Sequence, residues 1–348
     1  MRGRAAIAAI AAYLLLAGLG FTMSLPLLWM LSTSLKDPRT VGLYPPRWIP
    51  TRPGTVAVRG KEYPAGLITE RGRKTTVAII GRGPGGVLTL DARGVERLVP
   101  ESAMAPQEQV HLEWRNYVEA WKALPVDTGF LGLLHNADGF LVFYLNSLLV
   151  TICVTAGQLI TCSMAAFAFA RLRFPGRDVF FLGYVATLMV PAVVTMIPLF
   201  AMMRIGRLTD TYWALILPGL FSAYGTFLLR QFFMTVPTEL EDAAKIDGAG
   251  PFAIYWRIVM PLCKPALATL GTFTFLHTWN EFLWPLIVID DLGKKTLPIG
   301  LAHFQGPYLT EWHLLMAASV IVMFPVLIVF VIGQRYFVRG IALSGLKA

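Results

Sequence analysis

Charge is scarce in this chain, and so is cysteine. Only 15% of the 348 residues are Asp, Glu, Lys or Arg, against 55% hydrophobic ones. Soluble domains carry nearer a quarter charged, so an ordinary soluble domain is excluded. The three cysteines, Cys153, Cys162 and Cys263, sit in or beside apolar runs, and none falls between Leu31 and Phe143. That excludes a disulfide framework and a thiol-rich metal site. There is no histidine pair at metal-ligand spacing, no nucleophile elbow and no phosphate-binding Gly-Lys-Ser/Thr. The cluster Gly81-Arg82-Gly83-Pro84-Gly85-Gly86 lacks both that Lys-Ser/Thr and a strand-loop-helix context, and it reads as a turn. No cofactor or metal site follows from the sequence, and no catalytic constellation.

Long apolar runs are what the chain does have. About 20 apolar residues cross a 30 Å hydrocarbon core. Arg2 and Arg4 precede a run from Ala5 to about Leu31 that is too long for a signal-peptide core and has no clear small-residue cleavage site, so it reads as a retained first span. Five more runs follow: Phe143–Ala170, Val179–Met202, Tyr212–Phe232, Pro265–Ile289 and Leu314–Phe337. The expectation is an all-α polytopic membrane protein with six transmembrane helices. Pro191, Pro198, Pro218, Pro285 and Pro325 lie inside the runs, where prolines mark bends or cavity-lining segments.

The excess of +9 would suit nucleic acid, but in a membrane protein the placement of the charge decides. With the amino terminus inside, Arg2, Arg4, Arg171, Arg173, Arg177, Arg230, Lys245, Arg257, Lys264, Arg335, Arg339 and Lys347 fall on the cytoplasmic side. Short outer loops then hold only Arg204, Arg207, Lys294 and Lys295. Both termini are expected in the cytoplasm, and no nucleic-acid partner is expected. The predicted organisation is a first helix over 1–31, an extracytoplasmic loop over 32–142, a core transmembrane domain over 143–337 with a cytoplasmic loop at 233–264, and a tail over 338–348. Within the outer loop, about 52–108 alternates short β-branched runs (Val56 to Arg59, Gly66 to Thr69, Thr75 to Ile80, Val87 to Leu90) with Gly, Pro and basic residues. That rhythm predicts a small β-rich insert, a barrel or a curled sheet.

The polar stretch Thr238 to Pro261 lies between two of the apolar runs. Thr238 and Glu241 have capping-box spacing, with Pro237 just outside, and Glu239, Glu241 and Asp242 crowd the first turn. Gly248 is a stop signal, and Pro251 opens a second helix with Phe252, Tyr255, Trp256 and Val259 on one face. Each helix is about ten residues, too short to stand alone in water. Such a pair must dock on its own membrane helices or on a partner.

Taken as Asp242-Ala243-Ala244, then Gly248, then Ile258 and Met260-Pro261, the spacing resembles the EAA loop of binding-protein-dependent ABC importer permeases. Asp242 stands where that family usually has Glu, and Met260 where it usually has Leu. The segments Tyr44 to Thr51 and Leu112 to Trp121 look like the two ends of a loop in sugar-importer permeases, nearly continuous there and separated here by the insert. Trp279-Asn280-Glu281-Phe282-Leu283-Trp284-Pro285 resembles a segment of the carbohydrate permeases of the maltose type, and Asn146-Ser147 resembles the start of their core domain.

The resemblance implies the type I ABC importer permease fold. It also implies a second homologous permease subunit, two ATPase subunits that use ATP and Mg, an external solute-binding protein, and a bacterial or archaeal inner membrane. Carried over position by position, Glu241, Asp242, Ala243, Ala244, Asp247, Gly248, Ile258 and Pro261 would couple to the ATPase. Trp279, Asn280, Glu281 and Trp284 are the candidate substrate-pathway residues: an ionisable residue in a span should face a cavity or a partner, and an aromatic face suits a pyranose. Asn280 and Glu281 could equally bond neighbouring helices or the partner permease, to which the maltose-type family largely assigns its sugar contacts. His277 has no ligand partner and reads as structural. Two rivals stand beside this reading. An ion-coupled transporter needs more ionisable residues at mid-membrane than Glu281 and an internal repeat, which is not evident. A membrane-anchored sensor working through the β insert leaves the 242–261 spacing unexplained.

Overall fold

A computed structural model describes residues 2–58, 61–70, 73–83, 86–91, 94–306 and 310–345. Arg59, Pro84, Gly85 and Lys347 lie outside the described residues, as does the end of the expected tail. The chain divides into two compact units, residues 1–120 with 304–320 and residues 121–303 with 321–348.

The first unit opens with α1 (Arg2–Ser34), which keeps Pro26 inside it. Its apolar side chains from Ile10 to Met23, Leu14 among them, are exposed. Its carboxyl end is closed by side chains from α2 (Arg115–Lys122): Asn116 Nδ2 donates to the carbonyls of Ser34 (2.8 Å) and Lys36 (2.9 Å), and Ser34 Oγ lies 2.7 Å from Tyr117 Oη. Such bonds satisfy carbonyls that a helix end leaves unpaired.

Between α1 and α2 lies the β-rich region. Strands β1 (Thr51–Pro53) and β8 (Glu108–Val110) pair antiparallel, Thr51 opposite Val110 and Pro53 opposite Glu108. Everything between hangs from this two-stranded stalk. Strands β2 (Thr55–Val58), β3 (Lys61–Glu70), β4 (Arg73–Gly83), β5 (Gly86–Leu90) and β6 (Glu96–Val99) follow one another across an antiparallel sheet, and β7 (Met104–Pro106) pairs with β3. Val77 and Ala78 are neighbours on β4 and so point to opposite faces. Each is buried, Ala78 with Val58 and Leu90, Val77 with Ile68 and Val99. Apolar cover on both faces, with an irregular register between Ile79 and Gly81, makes this a curled sheet, one of the two expected forms.

The second unit begins with a hairpin, β9 (Val126–Gly129) and β10 (Leu134–Ala137), and then α3 (Gly139–Arg171). Around α3 stand α4 (Arg177–Ala186), α5 (Ala192–Ile205), α6 (Tyr212–Ile216), α7 (Ala223–Met234), α8 (Thr238–Ile246), α9 (Pro251–Ile254), α10 (Met260–Leu262), α11 (Lys264–Trp279), α12 (Leu283–Val288) and α13 (Leu297–Ala302); α14 (Trp312–Gly345) closes the chain. Two apolar cores run along α3. In one, Cys162, Ala166 and Phe167 meet Leu229, Phe233, Tyr255, Val259 and Leu270. In the other, Val150 and Val154 meet Ala214, Leu215, Val288 and Ile289. Gly225 lets α7 approach closely, since a Cβ there would come within 3.0 Å of Leu270 and 3.1 Å of Cys162.

Among the described residues four stretches are long and apolar enough to cross a membrane: Ala9–Ser34, Gly139–Arg171, Tyr212–Met234 and Trp312–Gln334. Two further passes are bent pairs, Arg177–Met189 with Ala192–Ile205 at 102°, and Pro251–Leu262 with Lys264–Trp279 at 79°; counted as one pass each, they bring the number to six.

Three expected spans are therefore not single helices. Val179–Met202 breaks at Pro191, which lacks an N–H and leaves Val190 extended. Tyr212–Phe232 passes through a 3-10 turn at Leu217–Leu220 around Pro218 and restarts at Ser222, whose hydroxyl accepts from the Gly225 N–H. Pro265–Ile289 stops at Trp279 and restarts at Leu283.

Candidate functional site

The α8–α10 segment is tied to the bundle by one buried ion pair. Glu241 Oε1 lies 3.0 Å from Arg171 Nε, with the two side chains 7% and 8% exposed. Arg171 is the last residue of α3, and its Nη2 also donates to the carbonyls of Phe233 and Val236 at the end of α7. A single guanidinium thus joins α3, α7 and α8. Removing one partner of such a pair strands the other charge and costs about 3–5 kcal/mol. The capping box expected of Thr238 and Glu241 is absent: Pro237 holds the N-cap position, Thr238 is already helical, and the Glu241 carboxylate is turned to Arg171.

The rest of the loop is built as its residues suggest. Gly248 has φ +82°, its N–H bonds the Lys245 carbonyl, and the Ala249 N–H bonds the Ala244 carbonyl at 2.8 Å. This Schellman arrangement requires the left-handed conformation that glycine adopts freely. Pro251 opens α9 at its first position. From Tyr255 to Val259 the backbone widens into a π-helical turn, the Met260 N–H reaching the Tyr255 carbonyl. That turn splits the expected face. Tyr255 and Val259 are buried, with Tyr255 Oη 2.8 Å from Ser163 Oγ and its ring against Phe167, whereas Phe252 and Trp256 are exposed.

The predicted coupling residues therefore fall into two sets. Glu241, Ala244 and Ile258 face the bundle, the last two packed against its core. Asp242, Ala243, Asp247, Gly248 and Pro261 are exposed. Asp242 accepts from Lys245 Nζ at 2.8 Å, and that bond holds its carboxyl below the usual range. Leu240, Ile246, Phe252 and Trp256 add exposed apolar surface.

The substrate-pathway candidates separate as well. Trp279 is fully buried, its Nε1 donating to the Val322 carbonyl (3.1 Å), its ring stacked on Phe275 and edge-on to Tyr144. It is a packing residue, and a sugar ring cannot stack on it here. Trp284 is half-buried, with Nε1 donating to the Ala214 carbonyl at 2.9 Å. Glu281 accepts from the Trp284 N–H at 3.3 Å and so supports the start of α12, while Asn280 is exposed and bonds the Leu276 carbonyl. His277, expected to be structural, has a side chain 79% exposed. Asn146 and Ser147 anchor the loop before α13: Asn146 Nδ2 donates to the Gly293 and Lys295 carbonyls, its Oδ1 accepts from Tyr212 Oη, and Ser147 Oγ accepts from the Leu297 N–H. Arg171 is the residue that sequence reasoning missed as a site. Its one signal was its place as the first of three arginines, with Arg173 and Arg177, at the end of a long apolar run.

A family model, the binding-protein-dependent transport system inner membrane component, matches residues 159–343, which hold the whole α8–α10 segment. The chain belongs to this family. The importer-permease resemblance carried by the EAA-like spacing is thereby borne out, and the chain is a multi-pass membrane protein. Neither α1 nor the β-rich region falls within the match. Among curated proteins, the arabinooligosaccharides transport system permease protein AraQ of Halalkalibacterium halodurans is 38% identical over 218 residues, 63% of this chain and 78% of that protein. The sn-glycerol-3-phosphate transport system permease protein UgpE of Yersinia pestis is 37% identical over 230 residues, 66% of this chain and 79% of that protein. A chain from the crystal structure of a bacterial ABC transporter involved in the import of the acidic polysaccharide alginate aligns at a TM-score of 0.66, covering 95% of this chain and 96% of that one at 21% identity. At that identity the likeness is one of fold.

Proposed function

We propose that this permease is one of two membrane subunits of an ATP-driven importer for a sugar or oligosaccharide, and that α8–α10 couples it to the ATPase. The observation that carries the coupling role is the two-sided build of that segment. Glu241 locks it to α3 and α7 through Arg171, while Asp242, Lys245, Asp247, Phe252, Trp256 and Arg257 face outward as a docking surface of mixed charge and apolar rings. Two ATPase subunits, using ATP and Mg, close on this surface, and the buried pair passes their movement to the helices. The bundle exchanges inward-facing and outward-facing states, biased by the differential affinity of its partners for each. A second homologous permease completes the pathway, and an extracytoplasmic solute-binding protein delivers the substrate. Both termini lie in the cytoplasm and the β-rich region outside. No catalytic role falls to this chain. The sugar class rests on the relatives' substrates and on the Trp279–Pro285 segment.

The test is purification of the tagged chain from its native membrane in mild detergent, with mass spectrometry of its companions. An ATPase bearing a phosphate-binding loop and a second permease are the expected companions. A chain recovered alone or as a homo-oligomer in several detergents would contradict the reading.

A further inference from the structure

Polar side chains on a membrane span are costly unless they face a cavity or a partner, and α11 carries His277 near its end with Asn280 just past it. Phe273, His277 and Asn280 recur at helical spacing and are all exposed, and Tyr224 and Phe227 are exposed on neighbouring α7. Between α3, α7 and α11 lies a cavity of about 350 Å³, lined chiefly by Gln158, Ser222, Tyr224, Phe273, Thr274 and His277. Its polar floor is fixed: Thr274 Oγ1 donates to Gln158 Oε1, and Gln158 Nε2 donates to the Gly219 carbonyl, both at 2.8 Å. An amide has two N–H donors and two oxygen lone pairs, and these bonds use one of each. One donor and one acceptor remain for a ligand.

No Asp, Glu, Lys or Arg lines this cavity. The nearest carboxylate to its His277 is Glu281, whose Oε2 lies 3.9 Å from Nε2. Aromatic walls with a few placed polar groups are the general make-up of a small-ligand pocket, and this volume is at the small end of the range, room for about one or two sugar rings. An uncharged ring can lay its C–H face on Tyr224 or Phe273 and bond its hydroxyls to Gln158 and His277. A phosphate or a uronate would meet no lysine or arginine in the lining and would lie close to the Glu281 carboxylate, whose like charge repels it. The geometry points to a subsite for neutral carbohydrate on this subunit, one that selects against anionic substrates. It rests on the importer reading and narrows the substrate class within it.

Saturation-transfer NMR on the intact detergent-solubilised complex tests this, with maltotriose and arabinotriose as neutral probes and sn-glycerol 3-phosphate and trigalacturonate as anionic ones. Transfer to at least one neutral probe is expected, with affinity at least tenfold weaker in both Tyr224→Ala and His277→Ala, and none to the anions. Both side chains are exposed, so truncation leaves the helix core intact; a monodisperse elution profile checks that. No transfer to a neutral probe, neutral binding unchanged in both variants, or anion binding that the same variants abolish would each overturn the subsite. ATPase content of the same preparation separates the failures. With the ATPase present, the subsite alone falls; with it missing under several detergents, the importer reading falls and the subsite with it.

Discussion

The segment from Thr238 to Leu262 and the segment from Thr51 to Val110 both interrupt a chain of apolar helices, and they are anchored in opposite ways. The first has no core of its own. Its short helices bury Glu241, Ile254, Tyr255 and Val259 among residues of α3, α7 and α11 and keep a face of mixed charge and apolar rings outside. The second brings its own cores, one on each face of a curled sheet, and is joined to the rest by the β1–β8 pair. A segment fastened by side chains inside the bundle can transmit a displacement to it. One hung on two adjacent strands can be added or removed at little cost, because its ends already meet. The family match takes in the first and leaves out the second.

That contrast can be broken at its strongest point first. Gly248→Pro removes both the left-handed turn and the N–H bonded to Lys245, and Asp242→Lys reverses an outward charge. Each should reduce ATP-driven uptake in proteoliposomes to background while immunoblots show normal membrane levels; uptake persisting in both would refute the coupling role. Next in size is Glu241→Ala, which leaves Arg171 buried without its partner. A loss of about 3–5 kcal/mol should appear as a lowered midpoint of thermal unfolding and at least tenfold weaker uptake. Joining Gly54 directly to Gln107, whose backbones are already bonded (N···O 2.7 Å), should delete the curled sheet and change ATPase association less than twofold; collapse of the complex would show that the insert is not separable.

The smallest effect concerns pH. Bonding to Lys245 holds the Asp242 carboxyl below its ordinary value. A depressed folded-state value means that the charge contributes above the unfolded value and is lost only as pH falls through the depressed one. ATPase association should therefore stay level from about pH 8 to 5 in the wild type. In Lys245→Ala its acid loss should move to higher pH, with no change at pH 7, as measured by co-purification across a pH series.

Local signals made much of this legible. Gly248 and Pro251 punctuate the helix pair as their chemistry dictates, and the alternation of Val, Ile and Thr with glycine turns announced a β-rich insert, leaving a barrel or a curled sheet open. Prolines were less decisive. Pro191 and Pro218 break their helices, whereas Pro26, Pro198 and Pro325 stay inside theirs. Each follows an apolar residue, and Pro218 alone is followed by a glycine, Gly219. Glu241 misled because its spacing from Thr238 satisfied a local rule, while its partner lay on another helix, at Arg171. The fifth apolar run hid the break after Trp279, because Trp279 buries its ring by packing and Asn280 and Glu281 turn to local backbone bonds.

The central claim is that the buried pair transmits between docking face and bundle, and a charge swap tests it most directly. ATP-driven uptake and co-purified ATPase would be measured for Arg171→Glu, Glu241→Arg and the two together. Each single change places like charges in a buried site and should abolish both signals; the double change should recover part of both, because it re-forms the ion pair while a carboxylate at 171 cannot donate to the Phe233 and Val236 carbonyls. Wild-type uptake in either single variant, or a double variant no better than the singles, would contradict the account.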